Sequence, residues 1–495
     1  MKYQKLLGSI ALASVLTINF IGCGDSSDTA LSTDAVEIIR LQTVSNAALA
    51  ASLVNVVDAD KIPFGDGSFS PFERVAVFPT IKDANGNLDP VATYAKVEAL
   101  ATTFAKYVAN TDEPTSDKNT FKATNWIVAG VESSTASNNF TDEHVSEHIL
   151  GIPTKNPINP AEPMSAANTK KVKVVEICNS SYAGQALGVS NVGGDTGDKV
   201  PNGIYHSTAL PCEVSIYNDE KAIYVDMLNP ETIFTTFFTE VFNNPVMQNN
   251  DFRTAMMALP TQVRNEISAM IYNAYDAAGE TYTKTAIKMG TIYSSMSKAI
   301  STTDTANGGS EPYRHYTYSG DGITEYTSTD AKAIATKLIS VMTSDHEGTV
   351  GVQEDALKST LPSTIAGQTP AWRSGRNEPL KVPGGSYIVE ACSPVYAKEA
   401  LTTGEHHTPA LPCEIAVFVN PDDNKSINVS LLNPEFMFGA LFADGMNTMS
   451  AEEITAFGTI INNINGDLKT IVDYTMEHNI TGFSGTNTKI TPINY

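Results

Sequence analysis

The sequence predicts an α+β protein that contains two copies of one domain. The main observation is a long internal repeat, which occupies residues 175–231 and 389–435. In each copy a strand ends in cysteine, and a Tyr-Ala and Ala-Leu segment follows it. An Ala-Leu-Pro-Cys-Glu segment and a Leu-Asn-Pro-Glu segment then occur in the same order. A repeat of this length and order indicates two copies of one structural unit. The second observation is a succession of strand and helix patterns in each copy, which is typical of the α+β class.

The N-terminus has the pattern of an export signal. Lys2 and Lys5 precede an apolar segment, residues 6–21, that is too short for a confident membrane-spanning helix. Cys23 follows a small residue and precedes a polar tether, as in a bacterial lipobox, where the cysteine is lipidated. We therefore expect residues 1–22 to be a lipoprotein signal peptide and Cys23 to carry the lipid. The alternative is an ordinary cleaved signal with an incidental cysteine.

The composition restricts the partners. The 495 residues include 32 Lys+Arg and 55 Asp+Glu, which gives a formal net charge of −23. Such a surface repels phosphate backbones, so we expect no nucleic-acid partner. After the N-terminal segment no stretch stays apolar over the roughly 18 residues of a membrane span. The lipid anchor is therefore expected to be the only attachment to the membrane.

The elements of the first copy follow from residue periodicity. Apolar residues that alternate predict strands, and apolar residues at helical spacing predict helices. The predicted strands are 73–79, 126–131, 171–178, 213–217 and 222–228. The predicted helices are 90–108, 182–187 and a helical extension from Asn229-Pro230 to about Ile300, which Pro245 and Pro260 are expected to break. Asp83 to Asp89 resembles a calcium loop, but a plain Asn-Gly turn fits its spacing better.

The second copy repeats this order after a polar linker. A strand is predicted from Tyr313, a helix over 329–342 and a short strand over 348–352. The hairpin of the first copy is repeated by Ile415 and Val417 and then by Ile427 and Val429. A helical extension follows to about His478. An additional helix over 33–57 follows the tether.

These patterns divide the chain into five parts. The predicted parts are a signal peptide (1–22), a tether with an N-terminal helix (23–65), a first domain with its helical extension (66–300), a linker (301–310) and a second domain with its helical extension (311–495).

The repeated motif resembles a known family. Cys-x-x-x-Tyr-Ala-x-x-Ala-Leu, followed by Leu-Pro-Cys and a hairpin, is similar to the bacterial and archaeal family called domain of unknown function 302, or DUF302. The usual Cys-Asn-Pro of that family is split here between Cys178-Asn179-Ser180 and Cys392-Ser393-Pro394. The resemblance implies two TATA-binding-protein-like domains, each a curved antiparallel sheet backed by helices, with added helical extensions. The family has no established activity, so the resemblance implies a fold and little about function.

The cysteines have matching places in the two copies. The chain has five cysteines, and the four other than Cys23 fall into two pairs. Cys178 ends one strand and Cys212 begins the next, so an antiparallel meander brings them together, and Cys392 and Cys413 repeat the arrangement. In an oxidising envelope compartment this count predicts one disulfide in each domain, Cys178–Cys212 and Cys392–Cys413.

Two other interpretations of the cysteines involve reactive or ligating thiols. His206 stands six residues before Cys212, and His407 stands six residues before Cys413. Zinc, copper or a haem iron could be bound by Cys178, Cys212 and His206, or by Cys392, Cys413 and His407. The spacing of these residues matches no known metal motif. A thiol-redox site is the third interpretation, but the chain lacks a Cys-x-x-Cys motif.

The motifs favour a binding role over catalysis. Gly-x-Ser-x-Gly, His-Glu-x-x-His and phosphate-cradling loops do not occur, and we predict no catalytic residue and no cofactor. We therefore predict a lipid-anchored bacterial cell-envelope protein with a non-catalytic binding or interaction role and an unidentified external ligand. Asp is absent after Cys23, which favours the outer membrane, facing the periplasm or the cell surface. The alternative is a metal-binding or thiol-redox protein that uses the Cys/Cys/His sets.

The predicted helical extensions carry more apolar surface than one small sheet covers. The residues concerned are Phe234, Phe237, Phe238, Phe242, Met256 and Met257 in the first copy, and Phe436, Met437, Phe438, Phe442 and Met446 in the second. A soluble monomer does not normally expose a patch of this size. We therefore expect the two copies to pack together about a pseudo-twofold axis, with the extensions between them. The alternative is two independent domains joined by the linker.

Overall fold

A computed structural model gives the fold of the chain. The residues that it describes are 70–109, 126–129, 149–153, 171–188, 203–210, 212–238, 250–290, 312–319, 325–342, 372, 374, 378–411, 413–421, 424–446, 448–477, 480 and 488–489. The predicted signal peptide, Cys23, the helix over 33–57, the linker 301–310 and the strand over 348–352 lie outside these residues. Below, the first half means the described residues up to 290, and the second half means those from 312 onward.

Alternating apolar residues of the first half form an antiparallel sheet of seven strands. The strands are β1 (Phe72–Pro79), β2 (Trp126–Val128), β3 (Ile149–Pro153), β4 (Lys171–Asn179), β5 (Cys212–Asn218), β6 (Ala222–Leu228) and β7 (Thr283–Met289). Their order across the sheet is β2-β4-β5-β6-β1-β7, and β3 pairs with β4 on the same edge as β2.

The second half forms an antiparallel sheet of six strands. The strands are β8 (Tyr313–Ser319), β9 (Leu380–Val382), β10 (Ser386–Ala391), β11 (Cys413–Val419), β12 (Ile427–Leu432) and β13 (Thr488–Lys489). Their order is β13-β8-β12-β11-β10-β9. The segment β4-β5-β6-β1 of the first sheet therefore has the same order and direction as β10-β11-β12-β8 of the second.

The helices occupy matching places along the two halves. Those of the first half are α1 (Pro90–Ala109), α2 (Ser180–Ala186), α3 (Pro230–Phe237) and α4 (Asn250–Ala277). Those of the second are α5 (Ser328–Met342), α6 (Pro394–Ala400), α7 (Pro434–Leu441), α8 (Ala443–Met446) and α9 (Ala451–Glu477). The described helices include none with the length and apolarity that crossing a membrane requires. Helices together with two antiparallel sheets confirm the predicted α+β class, whereas the TATA-binding-protein-like assignment stays a prediction.

The helices pack against the sheets as the periodicity predicts. In the first half α1 lies on β4 and β5 and contacts α4, and in the second half α5 lies on β10 and β11 and contacts α9. The buried side chains of α1 are those at helical spacing, such as Val97, Phe104 and Val108. The start of α3 is fixed by Asn229, whose side chain accepts a hydrogen bond from the Glu231 N–H at 3.2 Å, with a proline in the first turn.

Two predictions for the first helical extension are wrong. Helix α4 ends at Ala277, far short of Ile300, because Gly279 adopts a φ of +70°, in the left-handed region that ends helices. The residues that follow form the edge strand β7, which pairs with β1. Pro260 does not break α4, which runs through it. The flanking residues Leu259 and Val263 are buried, and this packing holds the helix on both sides of the proline.

Candidate functional site

A short 3-10 segment of the first half, Gly203–Ala209, packs on the sheet of the second half. Its Tyr205 hydroxyl lies 3.3 Å from Asn420 Oδ1 and accepts a hydrogen bond from Asn428 Nδ2 at 3.2 Å. The Tyr205 ring also meets Phe418 and His315 edge-on, with centroids 5.1 and 5.3 Å apart. All these partners belong to the second half.

The second half makes the reciprocal contact. Its 3-10 segment Glu405–Ala410 packs on strands of the first sheet, and the rings of His406 and His407 lie 5.7 and 5.4 Å from the ring of Phe72. Helices α3 and α7 meet beside these segments, where the Phe237 and Phe436 rings are 5.6 Å apart. We call this region the seam: the two 3-10 segments, helices α3 and α7, and the strands that they contact.

Four buried glutamates lie in matching register at the centre of the two sheets. Glu176 pairs with Glu213 across β4 and β5, and Glu390 pairs with Glu414 across β10 and β11. Glu213 and Glu414 also line one small cavity of about 30 Å³ between the halves. The other lining residues are mainly apolar and come from both halves: Thr208, Ala209, Leu228, Ile233, Phe237, Pro409, Ala410, Leu432, Met437 and Leu441.

Glu213 is the most unusual member of this set. Its side chain is 4% exposed, and Oε2 has no hydrogen-bond partner among the described residues. Burial raises the pKa of its carboxyl well above the usual value, and the neighbouring carboxyls of Glu414 and Glu390 raise it further. The Glu213 side chain therefore favours the protonated form.

The cysteines lie where the strand ends meet. Cys178 follows directly after Ile177, the register partner of Cys212, and Cys392 follows Ala391, the register partner of Cys413. None of the four forms a disulfide in this structure, so the predicted disulfides are not observed and their pairing stays a prediction. Burial raises the pKa of the Cys178 and Cys413 thiols to about 12, which disfavours the thiolate that redox chemistry and metal binding need.

The histidines of the two predicted Cys/Cys/His sets have different surroundings. His206 stacks on Phe238 with ring centroids 4.9 Å apart and meets Tyr313 edge-on at 5.2 Å. Among the described residues, one group of three or more His, Cys, Asp or Glu has its ligand atoms all within 4.8 Å, and it consists of His406, His407 and Asp444. His407 here joins a second histidine and an aspartate, while the two predicted Cys/Cys/His ligand sets stay predictions.

Asp444 joins the two histidines through separate oxygens. Oδ2 lies 2.9 Å from His406 Nε2, and Oδ1 lies 2.9 Å from His407 Nε2. The other ring nitrogen of His407, Nδ1, lies 2.7 Å from Thr403 Oγ1. Asp444 lies on helix α8, whereas both histidines lie in the 3-10 segment Glu405–Ala410. The repeat motif alone therefore did not reveal the group. Asp444 lies outside the part of the repeat that aligns with the first copy.

The environment of this group differs among its members. Burial lowers the pKa of His407 to about 4, although the Asp444 carboxylate opposes the shift. Burial acts to raise the pKa of Asp444, but the hydrogen bonds with His406 and His407 outweigh it and hold that pKa well below its usual range. His407 is fully buried, whereas the His406 and Asp444 side chains are 23% and 31% exposed.

A second repeated feature lies away from the seam and escaped the sequence patterns. In the second half Trp372 Nε1 and the Tyr396 hydroxyl both donate to Asp467 Oδ2, at 3.0 and 2.8 Å. In the first half the corresponding groups are Trp126, Tyr182 and Glu266. Trp126 Nε1 donates to Glu266 Oε2 at 2.7 Å, and the Tyr182 hydroxyl donates to Oε1. The chain has two tryptophans, and their parallel positions before the repeat were the available signal.

The fold and the seam define an α+β protein of two sheet-and-helix halves whose polar groups converge where the halves meet. Residues 383–464 match the family model described as Domain of unknown function DUF302. This range contains β10, β11, β12 and the His406, His407 and Asp444 group. The search of curated proteins and the search of solved structures each found no match.

Proposed function

We propose that the chain is a lipid-anchored cell-envelope protein with a binding role and no catalytic one, whose halves share a binding centre at the seam. The observation that supports this proposal is the cavity in which Glu213 of the first half and Glu414 of the second half lie among apolar side chains. Neither half alone would enclose this cavity. Ligand sites occur preferentially at such interfaces between domains.

The chemistry of the cavity indicates the kind of ligand. Burying a carboxyl group costs free energy unless a partner compensates it, and Glu213 Oε2 has none among the described residues. A cavity of about 30 Å³ accommodates one small group. The ligand is therefore expected to insert a hydrogen-bond donor or a cationic group of one or two heavy atoms, while the apolar wall covers its neighbours.

The localisation part of the proposal rests on the N-terminal pattern. Cys23 is expected to hold the protein at the membrane, most simply the outer membrane, and the folded body to reach into the periplasm or onto the cell surface. The formal net charge of −23 agrees with a body that is attached through lipid and not through basic residues on anionic headgroups.

Native mass spectrometry of the lipidated protein, extracted from membranes in mild detergent, tests the binding role. We expect the wild type to carry a mass above that of the lipidated polypeptide, and the E213Q/E414Q variant to lose this excess. E220Q, which changes an exposed hairpin glutamate, is the matched control and should keep it. No excess mass in the wild type, or the same excess in all three proteins, would contradict the proposal.

A second candidate function is that of a metal- or thiol-dependent protein acting at the cysteines. It is favoured by the close register of Cys178 with Cys212 and of Cys392 with Cys413. Thiol titration of the unreduced protein, with metal analysis of the same sample, separates the two candidates. Free thiols accompanied by stoichiometric, sulfur-bound metal would support the second candidate over the first.

A further inference from the structure

His407 has an unusual set of neighbours for a fully buried histidine. Its Nδ1 faces the hydroxyl of Thr403, and its Nε2 faces a carboxylate oxygen of Asp444. The same carboxylate presents its second oxygen to Nε2 of His406. Two ring nitrogens and two carboxylate oxygens from three side chains thus converge on one point at the edge of the seam.

Thr403 provides the second polar partner of His407. The Thr403 hydroxyl oxygen lies 2.7 Å from the carbonyl oxygen of Ala400, to which it donates, and 2.7 Å from His407 Nδ1. With its hydrogen directed to Ala400, this hydroxyl can accept a hydrogen bond from an Nδ1–H. That tautomer leaves the Nε2 lone pair available for a metal ion, and Nε2 lies 2.9 Å from Asp444 Oδ1, a second ligand atom. The same contacts allow the other tautomer, in which Nε2–H donates to the Asp444 carboxylate.

We propose that His406, His407 and Asp444 form a binding site for one divalent transition-metal ion, with zinc and copper as the matching class. Two imidazole nitrogens and one carboxylate oxygen suit these ions, whereas calcium and magnesium prefer oxygen ligands alone. His406 and Asp444 are partly exposed, so the ion can enter from solvent and keep a coordination position for water.

The surroundings of the three side chains are those of a supported metal site. The 2.7 Å contact between His407 Nδ1 and the Thr403 hydroxyl holds the ring with Nε2 toward Asp444, as partners of ligating histidines do. Two glycines allow the close packing. A Cβ on Gly404 would lie 2.6 Å from His406 Cε1, and one on Gly445 would lie 2.5 Å from Thr403 Cβ.

The first half provides an internal comparison. His206 matches His407 in its distance from the following cysteine. Its ring stacks on Phe238, whereas the His407 ring lies on Phe442 at a tilt of 30°, with ring centroids 4.5 Å apart. Tyr205, however, stands where the second half has His406. The first half therefore lacks the second imidazole, and the site binds one metal ion in each chain.

Zinc titration of the mature full-length protein, with a competing chelating indicator, tests the site. We expect one zinc ion per chain and a loss of affinity of at least about 100-fold in D444N, since even indirect partners of metal ligands cost about 10- to 100-fold. The exposed-charge variant E452Q should bind zinc like the wild type. Unchanged zinc affinity in D444N, or an equal loss in E452Q, would overturn the proposal.

The support from Thr403 is tested with a neighbouring threonine as control. T403V should weaken zinc binding by about 10- to 100-fold. T402V removes a hydrogen bond that the Thr402 hydroxyl donates to the Glu399 carbonyl on the exposed side, and this variant should not weaken zinc binding. H407Q risks misfolding because the ring is fully buried, so D444N and T403V, each with its thermal midpoint measured, are the decisive variants.

Cobalt spectroscopy separates this site from the cysteines. Cobalt(II) bound by His406, His407 and Asp444 gives weak visible bands without the intense thiolate-to-metal charge-transfer band of a cysteine ligand. A thiolate band that persists in D444N would place the metal at the cysteines and overturn the proposal. The inference is independent of the glutamate cavity: E213Q/E414Q should bind zinc like the wild type even if it loses the envelope ligand.

Discussion

Glu266 and Asp467 occupy equivalent places in the two halves, since each carboxylate accepts hydrogen bonds from one tryptophan and one tyrosine. They lie on the long helices α4 and α9. The difference between them is burial, because Asp467 is fully buried whereas Glu266 lines an open groove of about 560 Å³. These carboxylates connect each long helix to the short helix of the repeat in its own half, α2 or α6, which carries the tyrosine.

D467N should destabilise the second half. If the new amide NH2 takes the place of Oδ2, it is a donor that faces the donors of Trp372 and Tyr396. If the amide oxygen takes that place, both donors keep an acceptor, but a neutral and therefore weaker one. An unsatisfied buried polar group costs about 1–3 kcal/mol. Urea unfolding followed by tryptophan fluorescence measures the loss. E266Q is the matched control and should cost less, because water reaches its groove; an equal loss in E266Q would contradict this account.

Stability should depend on the protonation of Glu213. Its pKa is raised in the folded state by burial and by Glu414 and Glu390. The folded chain therefore holds this proton more tightly than the unfolded chain does. This contribution to the free energy of unfolding is present in full below the pKa of Glu213 in the unfolded state, about 4.5. It is lost as the pH rises through the pKa of Glu213 in the folded state. The slope approaches about 1.4 kcal/mol per pH unit for one proton.

Denaturant unfolding at several pH values tests this dependence. E213Q cannot ionise, so its free energy of unfolding should fall less than that of the wild type between about pH 5 and pH 8. E220Q, on the exposed hairpin, should follow the wild type. Parallel curves for wild type and E213Q would show that Glu213 does not carry the pH dependence.

Cys23 should carry the lipid. C23S removes the thiol that accepts the lipid, so the protein should accumulate as an uncleaved or soluble precursor. Membrane fractionation and N-terminal sequencing measure the outcome. C212S is the control for loss of a thiol and should still fractionate with membranes. Membrane-bound protein whose mature N-terminus is not residue 23 would contradict the prediction.

Each half should contain one disulfide in the envelope. Peptide mapping without reduction is expected to join Cys178 to Cys212 and Cys392 to Cys413, since the register places each pair at neighbouring strand ends. Closing loops of this size stabilises a protein by roughly 3 to 4 kcal/mol in the chain-entropy model, so reduction should lower the unfolding midpoint. A link between Cys178 and Cys392, or four free thiols in protein from the envelope, would contradict the pairing.

The two halves should stay together after the linker is cut. Limited proteolysis within 301–310 is expected to give two fragments that coelute on a sizing column, because the seam buries aromatic side chains from both halves. Y205A removes the hydroxyl that contacts Asn420 and Asn428 and the ring that packs on Phe418, so it should weaken this association. Y224A, in a hairpin away from these contacts, is the control. Fragments of the wild type that separate without denaturant and melt independently would contradict the seam.

Local sequence determined the elements and their order. Alternation predicted β5 and β6 nearly to the residue, the Asn-Pro pairs predicted the starts of α3 and α7, and the repeat predicted that both halves would have the same order. These features depend on neighbours in sequence: side-chain periodicity, capping and turn chemistry act within a few residues. The same reasoning was wrong at β7, since a short exposed edge strand has no buried face to produce a clear period.

The tertiary structure decided which distant groups meet. His407 was recognised in the sequence as an alternative metal ligand with Cys392 and Cys413, but Asp444, which its Nε2 contacts, was not recognised. Likewise Tyr182 was recognised in the repeat, whereas its partners Trp126 and Glu266 lie far from it on both sides. Periodicity shows which face of an element is buried but not which buried faces meet, because that choice depends on the packing of both sheets at once. The repeat therefore determined the two halves, and only their packing determined the seam and its chemistry.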